Sequence, residues 1–257
     1  MRRAELEALA LGLLHGPAEL VPVSSSGHAA ALPWLLAWEV AGWDGARRKQ
    51  LQVALHAGTA AALLIVLRPT HVRPRFLAAA VLPPALAGLA LERRIEERLG
   101  TPAMLAAGLL AGGGALVLAD RSHATRGRDD AGVRDGLALG LAQAAALVPG
   151  VSRSGATLAA ARARGFSRPD ASRLSWEVAL PVLAGASGLK AWRASQRRPD
   201  PSWDMRPLAL GAGAAFASTL ECARAIGIER RAPLWPWAAW RAGLAATILA
   251  VRHNRAR

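Results

Sequence analysis

Two stretches decide how this chain is read: LALGLLHGPAELVPVSSSGH, Leu9 to His28, and LALGLAQAAALVPGVSRSGAT, Leu137 to Thr157. LALGL recurs from Leu9 to Leu137, LVP from Leu20 to Leu147, and VSSSG at Val23 answers VSRSG at Val151, at offsets of 128, 127 and 128 residues. An Ala/Leu match alone would be chance in this composition. Three ordered matches at a nearly constant offset, one of them polar, mark an internal duplication. VAL at Val53 and again at Val178 is a weaker continuation of it. We therefore expect one integral membrane domain over residues 1–257, with repeat 1 at about 1–120 and repeat 2 at about 134–257.

In each copy the apolar part is too short to cross a bilayer, and it ends in Pro, Gly and Ser. Short, interrupted segments at corresponding places in two halves point to a site at the interface of inverted repeats. Irregular backbone at membrane depth survives only where protein or an aqueous cavity satisfies its polar groups. The expectation is an all-α polytopic membrane fold of two interleaved inverted repeats, each with a re-entrant helical hairpin. Their N–H groups would form an anion cradle.

The rest of the chain agrees. Leu51 to Leu67, Pro102 to Ala119 and Pro207 to Ile226 are apolar nearly all round, close to the roughly 20 residues of a spanning helix. Other expected helices are Ala4 to Leu14, Ala29 to Gly42, Phe76 to Leu91, Gly136 to Val148, Ala156 to Gly165, Leu174 to Trp192 and Pro233 to Val251, with no strand alternation. The net charge of +14 is not a nucleic-acid signal. The arginines sit in connectors such as Arg68 to Arg75 and Arg121 to Arg134, as membrane topology requires. The single Cys222 excludes an intrachain disulfide, and in a helix it reads as a small packing residue. Arg2 and Arg3 before an apolar run imitate a signal peptide, but Glu5 and Glu7 break the run and no cleavage site follows.

Two constellations carry chemistry. In the first, His15 and Glu19 are four apart and share a helix face, and Ser24, Ser25, Ser26 and His28 follow. An ionisable group at membrane depth is a functional candidate by default. Against that stand an ion pair for Glu19 and a plain turn or N-cap for the serines. In the second, Arg153 lies between Ser152 and Ser154, with Gly150 and Gly155 beside them and Thr157 beyond. A guanidinium fork suits phosphate oxygens. Arg162 and Arg164 fit the blander role of snorkelling to headgroups. Glu221 and Arg241, inside helices, read as structural ion-pair candidates, and His56 as a packing residue or one that backs a site residue rather than a catalyst.

With PVSSSGH at Pro22 to His28 and PGVSRSGAT at Pro149 to Thr157, the chain resembles the undecaprenyl-diphosphate phosphatase family of bacitracin-resistance type. LQVALHAGT at Leu51 to Thr59, LADR at Leu118 to Arg121 and Trp240-Arg241 extend the resemblance over essentially the whole chain. It implies that Glu19 is a metal or base position and that Ser25 and His28 are nucleophile or acid/base partners, the attacking atom left open. It implies that Arg153 is catalytic, within a substrate-binding set of Ser24, Ser26, Gly27, Gly150, Ser152, Ser154 and Thr157. It further implies a divalent metal, Mg²⁺ or Ca²⁺, a polyprenyl diphosphate substrate, membrane lipid as surroundings, and no nucleic-acid partner. The expected location is the bacterial cytoplasmic (inner) membrane with the site facing outward; a homodimer is left open. One departure stands out: His15 occupies the place where the family carries Glu or Gln, so a metal there would be held by His15 and Glu19. Glu177, where the family is apolar, reads as a further ion-pair candidate. The competing readings are a polyprenyl-phosphate transporter or flippase without hydrolysis, and a non-catalytic assembly factor.

Overall fold

The helix starts are written into the sequence by caps and prolines. Asp44 and Thr101 accept from the N–H groups of Arg47 (2.9 Å) and Met104 (3.3 Å), and Pro74, Pro102, Pro207 and Pro236 sit in the first turns of their helices, where the missing N–H costs nothing. The computed structural model describes residues 1–67, 73–196 and 203–257, so most of the connector from Arg68 to Arg75 lies outside the described residues. Its helices are α1 (Arg3–Leu20), α2 (Ser25–Leu35), α3 (Gly45–Val66), α4 (Pro74–Leu99), α5 (Pro102–Asp120), α6 (Val133–Ala145), α7 (Arg153–Ala163), α8 (Arg168–Gln196), α9 (Arg206–Glu221) and α10 (Trp235–Arg255). Among the described residues the one β feature is an isolated bridge between Arg126 and Phe166.

The all-α class holds. Gly45–Val66, Pro74–Leu91 and Pro102–Asp120 are long and apolar enough to cross a membrane. Leu64, Ile65, Leu82, Leu86, Leu89, Leu110 and Leu118 on these helices stay exposed, as lipid-facing side chains do. The expected stretch Pro207 to Ile226 is corrected: α9 stops at Glu221, and Cys222–Ala225 forms a 3-10 turn with Cys222 half-buried. The first helix is longer than expected. It runs through Pro17 to Leu20, which places His15 and Glu19 on one helical face. The second is shorter and ends at Leu35, before a 3-10 turn at Glu39–Gly42.

Helix pairs meet through small residues, as they do where lipid supplies no hydrophobic drive. α1 packs along α9 with Gly12 facing the Gly211 carbonyl and Gly16 facing Ser218; a Cβ on either glycine would fall 2.3 Å from an oxygen. Similarly, α6 packs along α4, where Gly136 faces the Phe76 carbonyl. Each hairpin of the duplication therefore rests on a helix of the other half. Pro84 interrupts α4 and cannot bond the Ala80 carbonyl four residues back. Gln143 of α6 donates to that carbonyl at 3.1 Å, so the break is satisfied inside the protein.

The connector arginines are not free topology signals. Asp135 is gripped by Arg126 and Arg164, each at 2.8 Å, Glu177 by Arg73 and Arg128, and Asp120 by Arg168 at 2.7 Å. Burial pushes the Asp135 carboxyl up, but Arg126, the Gly132 N–H and Arg164 outweigh it and hold it well below the usual carboxylate range. The snorkelling expectation for Arg162 is corrected: it is buried and donates to the carbonyls of Asp120 (3.1 Å), Ser122 (2.7 Å) and Phe166, while Arg164 pairs with Asp135. Glu177 is an ion-pair residue as expected; Glu221 is exposed.

Candidate active site

Each serine motif closes a helix–turn–helix in the same way. Ser24 (φ 74°) and Ser152 (φ 68°) are non-glycine residues held at positive φ, a conformation that costs energy and concentrates at functional sites. Both act as N-caps: Ser24 accepts from the Gly27 N–H and Ser152 from the Gly155 N–H, each at 3.2 Å. These caps occupy the same offset of 128 as the motifs, so the duplication extends to backbone geometry. The Ser24 hydroxyl thus caps its own turn, as the plain N-cap reading has it, and the Ser152 hydroxyl does the same. The N–H groups of Ser25 and Ser26, and of Arg153 and Ser154, are left at the open ends of α2 and α7, where no intrahelical acceptor exists.

The two turns meet. Arg153 Nη2 donates to Glu19 Oε1 at 2.7 Å across 134 residues of sequence, and the Ser25 hydroxyl donates to the other carboxylate oxygen, Oε2. One carboxylate therefore holds a hydroxyl from its own hairpin and a guanidinium from the other. Arg153 is mostly buried and lies over the Trp176 ring, 5.3 Å from its centroid. Its Nε and Nη1 are buried with no hydrogen-bond partner. Orphaned buried donors are rare in native proteins. Two on one guanidinium, beside a serine, suit an anionic ligand.

His28 is fixed at both nitrogens. Its Nδ1 faces the Ser24 carbonyl at 2.8 Å, and its Nε2 accepts from the Trp240 indole N–H at 2.9 Å. Since a carbonyl only accepts and an indole N–H only donates, the ring is neutral with its proton on Nδ1. Next along α10, Arg241 is fully buried. It donates to the Val151 carbonyl at 2.7 Å, while Nε and Nη1 have no partner. The expectation of an ion pair for Arg241 is corrected: its charge stands beside the turn Val151–Gly155, not beside a carboxylate. A Cβ on Gly155 would meet its guanidinium at 3.0 Å.

Other expected site residues sort by burial. Ser26 and Ser154 are half-buried at the helix ends, Ser154 3.3 Å from Ser152. Thr157 is fully buried and bonds the Arg153 carbonyl (3.0 Å) and Ser175 (2.6 Å), which ties it to the turn. Gly150 (φ 93°) presses against α5, where a Cβ would strike the Leu105 carbonyl at 2.4 Å. It sets the turn's position, and the Gly27 N–H is taken by its cap. Both glycines shape the turns of the site.

The model of the family described as Bacitracin resistance protein BacA matches residues 8–247. The chain belongs to the BacA family. A protein named undecaprenyl-diphosphatase in Geobacter sulfurreducens is 36% identical to this BacA-family chain, covering 97% of it and 99% of the relative. Its namesake in Geobacter metallireducens is 34% identical with the same coverage, and that of Trichlorobacter lovleyi 33% identical over 96% of each chain. With the apolar helices, family membership makes this a membrane protein.

The metal question turns on the donors around Glu19. One ring nitrogen of His15, one of His56 and a Glu19 oxygen lie within 4.8 Å of one another. Mg²⁺ and Ca²⁺ ask for oxygen ligands, and two imidazoles against one carboxylate do not suit them. Sequence reasoning passed over His56 because its register gives no hint that α3 brings it to 4.5 Å from the His15 ring.

Proposed function

We propose that this chain hydrolyses the terminal phosphoanhydride of undecaprenyl or a similar polyprenyl diphosphate, giving the monophosphate and inorganic phosphate and recycling the lipid carrier of cell-wall synthesis. Family membership and the names of its relatives supply the substrate class. The observation that carries the chemistry is the single Glu19 carboxylate shared by Ser25 and Arg153.

Phosphoryl transfer asks the protein mainly for alignment and charge stabilisation. The free donors of Arg153 and the open N–H groups of α2 and α7 would take the equatorial oxygens of the terminal phosphoryl. Ser25 Oγ attacks phosphorus while its proton passes to Glu19 Oε2. The anhydride P–O bond breaks, polyprenyl monophosphate leaves, and water then hydrolyses the phosphoseryl group to restore Ser25 and release phosphate. Of the two attacking atoms left open by sequence, Ser25 is favoured because its hydroxyl is bonded to a carboxylate. His28 offers its Nε2 lone pair to Trp240, which suits a fixed acceptor beside the site. The flippase reading would need the Arg153 cradle but not the Ser25–Glu19 bond, and nothing favours it.

The hairpins α1–α2 and α6–α7 are read as re-entrant and related by inverted topology, which their packing on helices of the opposite half supports. The family further supports the bacterial cytoplasmic membrane with the site opening outward. Accordingly, Ser26→Cys, with Cys222 replaced by Ala, should react with a membrane-impermeant thiol reagent in intact cells. Labelling only after permeabilisation would contradict the orientation.

Arg241 gives a second expectation. Replacing a buried, unpaired charge by an apolar side chain of similar length rarely destabilises. Arg241→Met should leave the melting temperature equal or higher yet raise KM about tenfold, ~1.4 kcal/mol. A lower melting temperature with unchanged KM would make Arg241 a purely structural residue. The function itself is tested by phosphate release from polyprenyl diphosphate by the purified protein; binding without release would refute it.

A further inference from the structure

His15 Nε2 is buried with no partner, and its Nδ1 lies 3.0 Å from the Thr59 hydroxyl. The Thr59 hydroxyl also lies 3.3 Å from that of Thr219, which donates to the Ala215 carbonyl at 2.6 Å. A hydroxyl both donates and accepts, so Thr59 can take the proton of His15 Nδ1–H, which leaves Nε2 with a bare lone pair. His56 reaches the same state by a shorter route: its Nδ1 faces the Gln52 carbonyl at 2.8 Å and must be the protonated nitrogen.

One ring nitrogen of each histidine and a Glu19 carboxylate oxygen thus converge within 4.8 Å. Glu19 is held by Arg153 and Ser25, but each carboxylate oxygen keeps a second lone pair. A histidine whose Nδ1–H is anchored to a carbonyl or hydroxyl, presenting Nε2, is the arrangement metal-ligating imidazoles adopt. We propose that His15, His56 and Glu19 form a binding site for a borderline, imidazole-preferring divalent ion of the Zn²⁺ class, selective against Mg²⁺ and Ca²⁺. Selectivity follows from two nitrogen donors among three. The assignment deepens the phosphatase reading, since Glu19 is shared between the ion site and the Ser25–Arg153 pair.

The test uses the full-length protein, purified without a polyhistidine tag, freed of metal by a chelator and titrated with Co²⁺ as a visible-absorption probe. One equivalent should bind with a ligand-field spectrum, be displaced by Zn²⁺, and resist a thousandfold excess (roughly, from the ligand preferences) of Mg²⁺ or Ca²⁺. His15→Gln and His56→Gln should each weaken binding by more than the about 10–100-fold typical of losing an outer partner, and Thr59→Val by about that range. His253→Gln, at the exposed end of α10, should change nothing. Displacement by Mg²⁺ at equal concentration, absence of Co²⁺ binding, or binding unaffected in both histidine variants would overturn the proposal. The wild-type competition needs no variant to fold. Phosphate release is followed on the same samples. Release without Co²⁺ binding sinks the ion site alone, and Co²⁺ binding without release sinks the phosphatase reading alone.

Discussion

Arg153→Ala should lower kcat/KM for phosphate release by about 10³–10⁵, the range over which a phosphoryl-contacting arginine acts. The reason is geometric. Two of its nitrogens are buried and unpartnered, and the third ties α7 to Glu19 at 2.7 Å. Removing the side chain takes away the phosphate fork and leaves Glu19 a buried charge without its partner, which costs about 3–5 kcal/mol. The variant should therefore also melt earlier. Arg153→Lys separates the two losses: it restores the charge beside Glu19 and the melting temperature, but not the planar fork, and activity stays low. Recovery of activity with lysine would mean that Arg153 supplies charge alone.

Glu19→Gln is the second large effect. It keeps the length of the side chain and an oxygen for the Ser25 hydroxyl, but cannot take a proton. Phosphate release should fall by about 10²–10⁴, the usual worth of a positioned general base, and mainly in kcat. The amide also turns an N–H₂ or a neutral oxygen toward Arg153, so part of the ion pair is lost. Steady-state kinetics at saturating substrate reads the first effect and thermal melting the second. A variant with unchanged kcat would remove Glu19 from the chemistry.

Much of this site was legible in the sequence because its parts are polar words in an apolar text. VSSSG and VSRSG stood out by repetition, and their shared offset reappears as two serines at positive φ with matching caps. Glu19, Ser25 and Arg153, polar residues of the two motifs, are joined by direct hydrogen bonds, while His28 bonds Ser24 and Trp240. Failures came where burial alone decides the role. Arg241 carries no sequence sign that it lacks an acid. Arg162 reads as a snorkelling arginine until Phe166, Ser122 and Asp120 offer their carbonyls. Helix limits slipped for a related reason. The expected Ala4 to Leu14 stops short, whereas α1 runs through Pro17 to Leu20 and is held along α9 by Gly12 and Gly16. His56 was invisible as a ligand, since only the packing of α3 against α1 brings it to His15.

The most direct measurement is a double-mutant cycle on phosphate release, comparing Glu19→Gln, Arg153→Ala and the double variant by kcat/KM. If the two hairpins act as a unit on one diphosphate, the double variant should be about as slow as the slower single one, because residues of one catalytic unit are strongly non-additive. Losses that multiply, as for distant independent positions, would mean that the two turns do not share a substrate.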